Sequence, residues 1–260
     1  MTRPVLPDTF LKAPFTHRGY HDISAGIPEN SIAAFKAAID AGYGIELDVQ
    51  ATKDADAMVF HDYDMKRLTG TQGPIQLCNL DEVCARPLLG NNEQIPTLSN
   101  VLDLVAGRVP LLIEIKDQHG AMGPVDGRLE HAVARALHGY VGPVALMSFN
   151  PHSVAVLAEA MPDIPRGITT ENWLGEEEQL IPAARRAELV EIQDYDRVQA
   201  CFISHQASDL HSPQVARLKA LGANVLCWTI RNKAEETQAR KVAQNVTFEG
   251  YAAALCPVER

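Results

Sequence analysis

The stretch GIELDVQ, residues 44–50, alternates aliphatic and polar side chains, which is the pattern of a β-strand. Successive side chains of a strand point to opposite faces, so Glu46 and Asp48 share one face and the aliphatic residues share the other. The Cα atoms of two neighbours on one face lie about 6.6 Å apart. If helices cover the aliphatic face, both carboxylates point into the interior of a sheet or barrel.

Short β-branched runs and helical patterns alternate along the whole chain. The strand candidates are FTHRG (15–19) and the ranges 43–52, 57–62, 109–116, 143–149, 165–170, 200–205 and 224–230. Most are followed by a helical pattern, and strands separated by helices pair in parallel through right-handed crossovers. Eight such units in 260 residues predict an α/β fold, the (β/α)8 TIM barrel. The alternative, a doubly wound open sheet, needs fewer strands and usually a glycine-rich first turn, which is absent.

The connection over residues 62–95 is longer than an ordinary loop and is rich in Gly, Thr, Asn and Asp. It follows the third strand candidate and precedes the next helical pattern. We therefore predict a single TIM-barrel domain over residues 1–260, with a small insertion after the third strand. The insertion is expected to lie over the active-site face.

The charge of the chain limits the partners that it can bind. Its formal net charge of −10 argues against a nucleic-acid or anionic-membrane surface, which needs a basic face. The sequence has no amphipathic basic helix and no segment near the roughly 20 apolar residues of a membrane helix. We expect a small-molecule substrate, no nucleic acid and no stable membrane association, in a monomer or a homodimer.

Cysteine usage and the N-terminal segment indicate the compartment. The five cysteines form no CxxC pair and are odd in number, which is typical of reduced thiols. Residues 1–17 lack the continuous apolar segment of a signal peptide. Both features predict a cytoplasmic protein.

A second strand, LLIEIK at 111–116, repeats the alternation of the first. It adds Glu114 to the same interior, with Lys116 two residues nearer the carboxyl end of the strand. Buried carboxylates need a cation, basic neighbours or a proton to offset their desolvation. Three of them around one point form a hard oxygen site suited to Mg²⁺ or Ca²⁺. The alternative is a solvated face of an antiparallel sheet, which the alternation with helices disfavours.

Two histidines close short apolar runs, at His17 in FTHRG and at His61 in VFHD. In a barrel both stand at the carboxyl-terminal rim, where active sites of this fold lie. Histidine is the natural acid or base near neutral pH, and the neighbouring Arg18 offers a fork of donors for phosphate. We expect Gly19 to be small so that substrate can come close.

Several short motifs follow one another in a fixed order. They are HRG (17–19), PENS (28–31), ELD (46–48), HD (61–62), LTG (68–70), IPTL (95–98), EIK (114–116), SF (148–149) and WTI (228–230). In this order the chain resembles the glycerophosphodiester phosphodiesterase family. The resemblance implies a (β/α)8 barrel with a small insertion between its second and third units.

The resemblance also implies a role for each matching residue. It implies metal ligands at Glu46, Asp48 and Glu114, acid/base catalysts at His17 and His61, phosphate-binding groups at Arg18 and Lys116, an aromatic substrate contact at Trp228, and residues supporting the metal site at Glu29 and Asn30. The implied cofactor is one divalent cation, Mg²⁺ or Ca²⁺. The implied reaction is metal-dependent hydrolysis of glycerophosphodiesters to an alcohol and glycerol 3-phosphate by two-histidine acid/base catalysis.

Other functions remain open at this point. The chain could act on longer lipids as a lysophospholipase D, or use its E-x-D motif as a metal-dependent barrel lyase or aldolase. A barrel-derived protein that only binds a phosphate ligand is a third reading. One segment departs from the family pattern: NVTFEGYAA (245–253) stands where members often carry a strand like GIITDRP. The last part of the pocket wall is therefore open as well.

Overall fold

In the computed structural model, which describes residues 3–255, eight parallel strands close into a barrel and a ninth pairs outside it. The strands are β1 (Phe15–Thr16), β2 (Gly44–Ala51), β3 (Ala57–Val59), β4 (Leu111–Ile115), β5 (Val144–Ser148), β6 (Arg166–Thr170), β7 (Phe202–Gln206), β8 (Asn224–Ile230) and β9 (Asn245–Phe248). The barrel runs β1-β2-β4-β5-β6-β7-β8-β9 and closes where β9 pairs with β1. The predicted TIM-barrel fold is confirmed.

Helices fill the connections between strands. They are α1 (Thr9–Lys12), α2 (Ile32–Ala41), α3 (Lys66–Thr69), α4 (Leu80–Cys84), α5 (Leu98–Val105), α6 (Arg128–Leu137), α7 (Pro151–Ala160), α8 (Ala183–Val190), α9 (Asp194–Arg197), α10 (Pro213–Ala220) and α11 (Lys233–Ala239). Short 3₁₀ helices span Ile23–Ala25, Ile75–Leu77, Glu177–Leu180 and Ala207–Asp209. Within residues 3–255, none of the helices has the length and apolar character needed to cross a membrane.

Two strands differ from the sequence-based count. The sequence predicts a barrel strand at 57–62, but β3 pairs antiparallel with β2 and lies outside the parallel barrel. The eighth barrel strand is instead β9, in the segment that departs from the family pattern. A short connection of five residues, 52–56, leaves no room for a crossover helix, so β3 must turn back on β2 as a hairpin.

The two faces of the barrel strands pack as the alternation of β2 predicted. Ile45 and Leu47 of β2 join an outer cluster in which Phe35 of α2 and Leu98 of α5 are fully buried. A smaller cluster fills the barrel interior near its amino-terminal end, where Phe15 is fully buried. The polar face of β2 therefore enters the barrel above a layer of apolar side chains.

The start of α2 fixes the end of the loop that connects β1 to α2. The Ser31 hydroxyl accepts a hydrogen bond from the Ala34 N–H, as expected for a residue that caps a helix. The helix ends at Gly42, whose φ of 78° is the left-handed conformation that glycine adopts without strain. The loop between β1 and α2 carries Glu29 and Asn30 to the carboxyl-terminal rim of the barrel, where they contact Arg18 and Asp48.

The predicted insertion is a small folded unit. Met58 and Phe60 at the end of the hairpin pack with Met65 and Ile75 of the insertion in a buried apolar cluster. The Asp64 carboxylate accepts hydrogen bonds from the backbone N–H groups of Lys66 and Gly73, which orders the turn around α3. The insertion is thereby packed against the hairpin beside the barrel mouth.

Candidate active site

Three acidic side chains meet inside the barrel near its carboxyl-terminal end. Glu46 and Asp48 come from β2, and Glu114 comes from β4, where it pairs in register with Asp48. One carboxylate oxygen of each lies within 4.8 Å of one from the other two, and all three residues are buried. The structure therefore brings together the acids that the sequence placed on one interior face.

The electrostatic environments of these acids differ. Burial, together with the charges of Asp48 and Glu114, raises the pKa of Glu46 well above its usual value. Burial also opposes ionisation of Asp48, but the Lys116 ammonium, 2.8 Å from its Oδ1, holds the pKa of Asp48 below its usual value. The same ammonium lies 2.5 Å from Oε1 of Glu114. One lysine is thus shared by two of the acids.

The donor set fits a divalent cation. When ionised, three carboxylates face two cationic side chains, Lys116 and Arg18, which leaves one net negative charge in a buried site. The Asn30 amide donates to Asp48 Oδ2 at 3.0 Å, while the Asn30 Oδ1 atom is buried without a hydrogen-bond partner among the described residues. Oxygen donors of this kind suit Mg²⁺ or Ca²⁺. A divalent ion would turn the net charge positive, which matches a single phosphodiester anion.

His17 stands directly after β1, beside the acid cluster. Its backbone N–H donates to the Phe248 carbonyl, and its Nδ1 lies 2.5 Å from Oε2 of Glu249. With the Nδ1 proton donated to this carboxylate, the Nε2 lone pair is the free one. Burial lowers the pKa of His17, although the Glu249 hydrogen bond acts in the opposite direction. The neutral, base-competent ring is therefore favoured near neutral pH.

Glu249 is a site residue that the sequence motifs do not indicate. It directly follows β9, the strand that neighbours β1, so its carboxylate reaches His17 across 232 positions of sequence. The hydrogen bond from His17 lowers the pKa of Glu249. Arg231 adds an ion pair of 2.9 Å to the same carboxylate. Only the position of Glu249 indicates a functional role: it is an acid at the carboxyl end of a barrel strand. It lies in the segment 245–253, which departs from the family pattern.

His61 reaches the site by a different route from the predicted one. The β2–β3 hairpin runs back along β2, so that the Phe60 N–H donates to the Asp48 carbonyl. His61 follows, with its carbonyl held by the Gln50 amide at 2.9 Å and its Nδ1 2.9 Å from Oδ1 of Asp62. Both histidines thus carry a carboxylate on Nδ1.

Arg18 is engaged with acids of the rim. Its backbone N–H donates to Glu46 Oε2 at 2.9 Å, and one terminal nitrogen donates to Glu29 Oε1 at 2.7 Å. Its Nε lies 3.5 Å from Asp48 Oδ2. Gly19 is small for a packing reason, and its expected role in the approach of substrate stays a prediction. A Cβ there would lie 2.8 Å from the Ala34 Cβ, so the glycine makes room for α2.

Comparison with known proteins shows the family of the chain. The model of the glycerophosphoryl diester phosphodiesterase family matches residues 17–247. The chain belongs to this family.

Individual members show the extent of the likeness. A glycerophosphodiester phosphodiesterase of Caldanaerobacter subterraneus is 34% identical over 160 residues, which are 58% of this chain and 64% of that relative. One from Bacillus subtilis is 25% identical over 88% of this chain and 79% of its own length. A crystal structure of an Oleispira antarctica phosphodiesterase with sn-glycerol-3-phosphate has a TM-score of 0.73 and 24% identity, covering 93% of this chain and 94% of that one.

Strand β8 contributes an aromatic side chain near its carboxyl end. Trp228 stacks edge-on against Phe149 with ring centroids 5.4 Å apart, and its Nε1 donates to the Ser204 carbonyl. Phe149 in turn packs edge-on against Trp173. Phe149 directly follows β5, Trp173 follows β6 and Trp228 lies on β8, so these three rings, here called the aromatic wall, come from the β5 to β8 part of the barrel.

Proposed function

We propose that the protein hydrolyses glycerophosphodiesters to an alcohol and glycerol 3-phosphate, with one divalent cation as cofactor. The observation that carries the proposal is the meeting of three buried carboxylates, Glu46, Asp48 and Glu114, with two histidines that each carry a carboxylate on Nδ1. Membership of the phosphodiesterase family supports the reaction class. The aromatic wall supports a substrate that presents C–H groups to the rings, as the glycerol backbone does.

The acid cluster would hold the cation through Glu46, Asp48 and Glu114. When bound, a divalent ion neutralises charge that develops on the phosphoryl oxygens in the transition state. Arg18 and Lys116 lie beside the cluster and supply the remaining positive charge for nonbridging oxygens. The charge balance of these five side chains favours one divalent ion and one monoanionic phosphodiester.

The two histidines divide the proton transfers. His17 favours its neutral form because burial lowers its pKa, so its Nε2 removes the proton of the attacking hydroxyl. Attack by water gives glycerol 3-phosphate directly, whereas attack by the glycerol 2-hydroxyl gives a cyclic phosphate that a water molecule then opens to glycerol 3-phosphate. His61, at the more open rim, donates a proton to the alcohol oxygen as its bond to phosphorus breaks. Glu249 and Asp62 hold the two rings in the tautomers that these roles require.

A product analysis tests the proposal. Purified protein with Mg²⁺ or Ca²⁺ is expected to release choline and glycerol 3-phosphate from glycerophosphocholine, and EDTA is expected to stop the reaction. Phosphocholine plus glycerol as the products would contradict the proposed bond cleavage. Lysophosphatidylcholine and a pyruvate-forming aldol substrate, assayed in parallel, separate the lysophospholipase D and lyase or aldolase alternatives. Tight binding of glycerophosphocholine without any product would favour the binding protein.

Substituting Glu249 by glutamine tests its support of His17. We expect kcat to fall by about 10²-fold or more, because a glutamine amide can donate to Nδ1 and select the wrong tautomer. Glu249 raises the pKa of His17, so its loss lowers that pKa further and moves the acid limb of the kcat/KM profile to lower pH. A pH-rate profile of Glu249→Gln measures both effects. An unchanged profile with normal kcat would remove Glu249 from the mechanism.

A further inference from the structure

One arginine of the insertion contacts two acids of the active-site rim at once. Arg67, on α3, donates from Nε and one terminal nitrogen to both oxygens of Asp62, at 2.7 and 2.8 Å. Its two terminal nitrogens donate to both oxygens of Glu29, each at 2.8 Å. Four hydrogen bonds of one guanidinium are therefore made to two carboxylates, a geometry that the arginine fork suits and a lysine ammonium cannot reproduce.

Each of these acids has a second partner in the proposed machinery. Asp62 accepts from Nδ1 of His61 at 2.9 Å, and Glu29 accepts from Arg18 at 2.7 Å. Glu29 is 13% exposed and Asp62 is 22% exposed, so both charges are partly desolvated. Arg67 is the cation that lies between them.

We propose that Arg67 is a positioning residue that aligns His61 through Asp62 and Arg18 through Glu29. The inference rests on the proposed function of those two residues. It also gives the insertion a part in the reaction, because α3 supplies the arginine while the barrel supplies both acids. Arg67 acts through Asp62 and Glu29 and need not contact the substrate itself.

Electrostatics explains why these acids depend on Arg67. One terminal nitrogen of its guanidinium is bonded to an oxygen of each acid, so without it two carboxylates would face each other across a partly buried gap. Against the effect of burial, the hydrogen bonds from Arg67 help to lower the pKa of Glu29 to about 2. His61 and Arg67 likewise hold the pKa of Asp62 below its usual value. Removing the guanidinium would leave both acids free to turn away from their partners.

The test compares Arg67→Met and Arg67→Lys with the wild-type enzyme, using glycerophosphocholine at saturating cation. We expect Arg67→Met to lower kcat about 10- to 100-fold, the usual effect of losing a group that orients a catalytic ligand. KM is expected to rise as well, because Arg18 loses its alignment. Arg67→Lys should recover less than half of the lost kcat, since it restores charge without the fork.

A double-mutant cycle separates positioning from general stability. In an Asp62→Asn background the effect of Arg67→Met on kcat should shrink to about threefold or less, because the path to His61 is already broken. Arg86→Met is the matched control: its guanidinium lies in the insertion against sulfur atoms of Met65 and Cys78, and kcat should stay within twofold of wild type.

Several outcomes would overturn the inference. An unchanged kcat and KM in Arg67→Met would do so, as would an equal loss of kcat in the wild-type and Asp62→Asn backgrounds. If Arg67→Met does not fold, a kcat of Arg67→Lys within twofold of wild type contradicts the need for the fork. An inactive wild-type protein would instead contradict the proposed function, so the two failures are distinguishable.

Discussion

An alanine at His17 is expected to lower kcat at least about 10³-fold for every glycerophosphodiester, whatever its alcohol, because the base acts on the nucleophile and not on the leaving group. The same substitution at His61 should lower kcat by about 10³-fold only for poor leaving groups such as choline. With the p-nitrophenyl ester of glycerol 3-phosphate, His61→Ala should stay within about tenfold of wild type. Nitrophenolate leaves without a proton, so the acid is then dispensable.

His17→Ala should therefore lose activity on both substrates, whereas His61→Ala should lose most of its activity only on the substrate with the poor leaving group. His152→Ala is the matched control, since His152 lies on α7 and burial lowers its pKa too, yet it belongs to no proposed step. Its kcat should match wild type on both substrates. If His17→Ala is rescued by the nitrophenyl ester while His61→Ala is not, the roles are reversed. Near-wild-type activity of either variant on glycerophosphocholine would remove the two-histidine mechanism.

The sequence predicted those parts of the fold that depend on local alternation. The alternation in β2 and β4 has a period of two, so it determines which side chains share a face, and Glu46, Asp48 and Glu114 do meet inside the barrel. The caps of the intervening helices are also local, as Ser31 shows. Alternation between strands and helices then implied parallel pairing, which holds for the barrel strands.

The pairing partner of a short strand could not be predicted in the same way. The run at 57–62 and the run at 245–248 are equally plausible strands, but only the first lies too close to β2 for a crossover. With the run at 57–62 counted as a barrel strand, eight barrel strands are already present, so a further strand at 245–248 is not expected. The barrel closes only because β9 pairs with β1, a contact between the two ends of the chain.

Separation along the sequence also explains why Glu249 and Arg67 were not predicted as site residues. Glu249 meets His17, and Arg67 meets Glu29, through the folded barrel and not through any local spacing. The resemblance to family motifs pointed to His17, His61 and the three acids because each of these residues lies in a short motif of neighbouring residues. It carried no information about side chains that act on those residues from another strand or from the insertion.

Replacing Glu46 by glutamine should separate stability from cation binding. In the metal-free wild-type protein, burial and two neighbouring carboxylates disfavour the ionised form of Glu46 and raise its pKa. Glutamine removes this unfavourable charge, so the free energy of unfolding of metal-free Glu46→Gln should equal or exceed that of metal-free wild type. Its kcat should nevertheless fall by at least about 10²-fold, because a ligand that donates negative charge is lost.

Thermal or chemical unfolding with and without Mg²⁺ or Ca²⁺ measures how much the cation stabilises each variant. A cation at 100 times its dissociation constant should stabilise the wild-type protein by about 2.7 kcal/mol, and the same concentration should stabilise Glu46→Gln much less. Glu130→Gln is the matched control, since Glu130 on α6 is also buried with a raised pKa but lies outside the acid cluster. It should keep both the activity and the full stabilisation by cation. Equal stabilisation of Glu46→Gln and wild type would show that the cation binds elsewhere, and Lys116, Arg18 and protons would then offset the charge of the acid cluster without a metal ion.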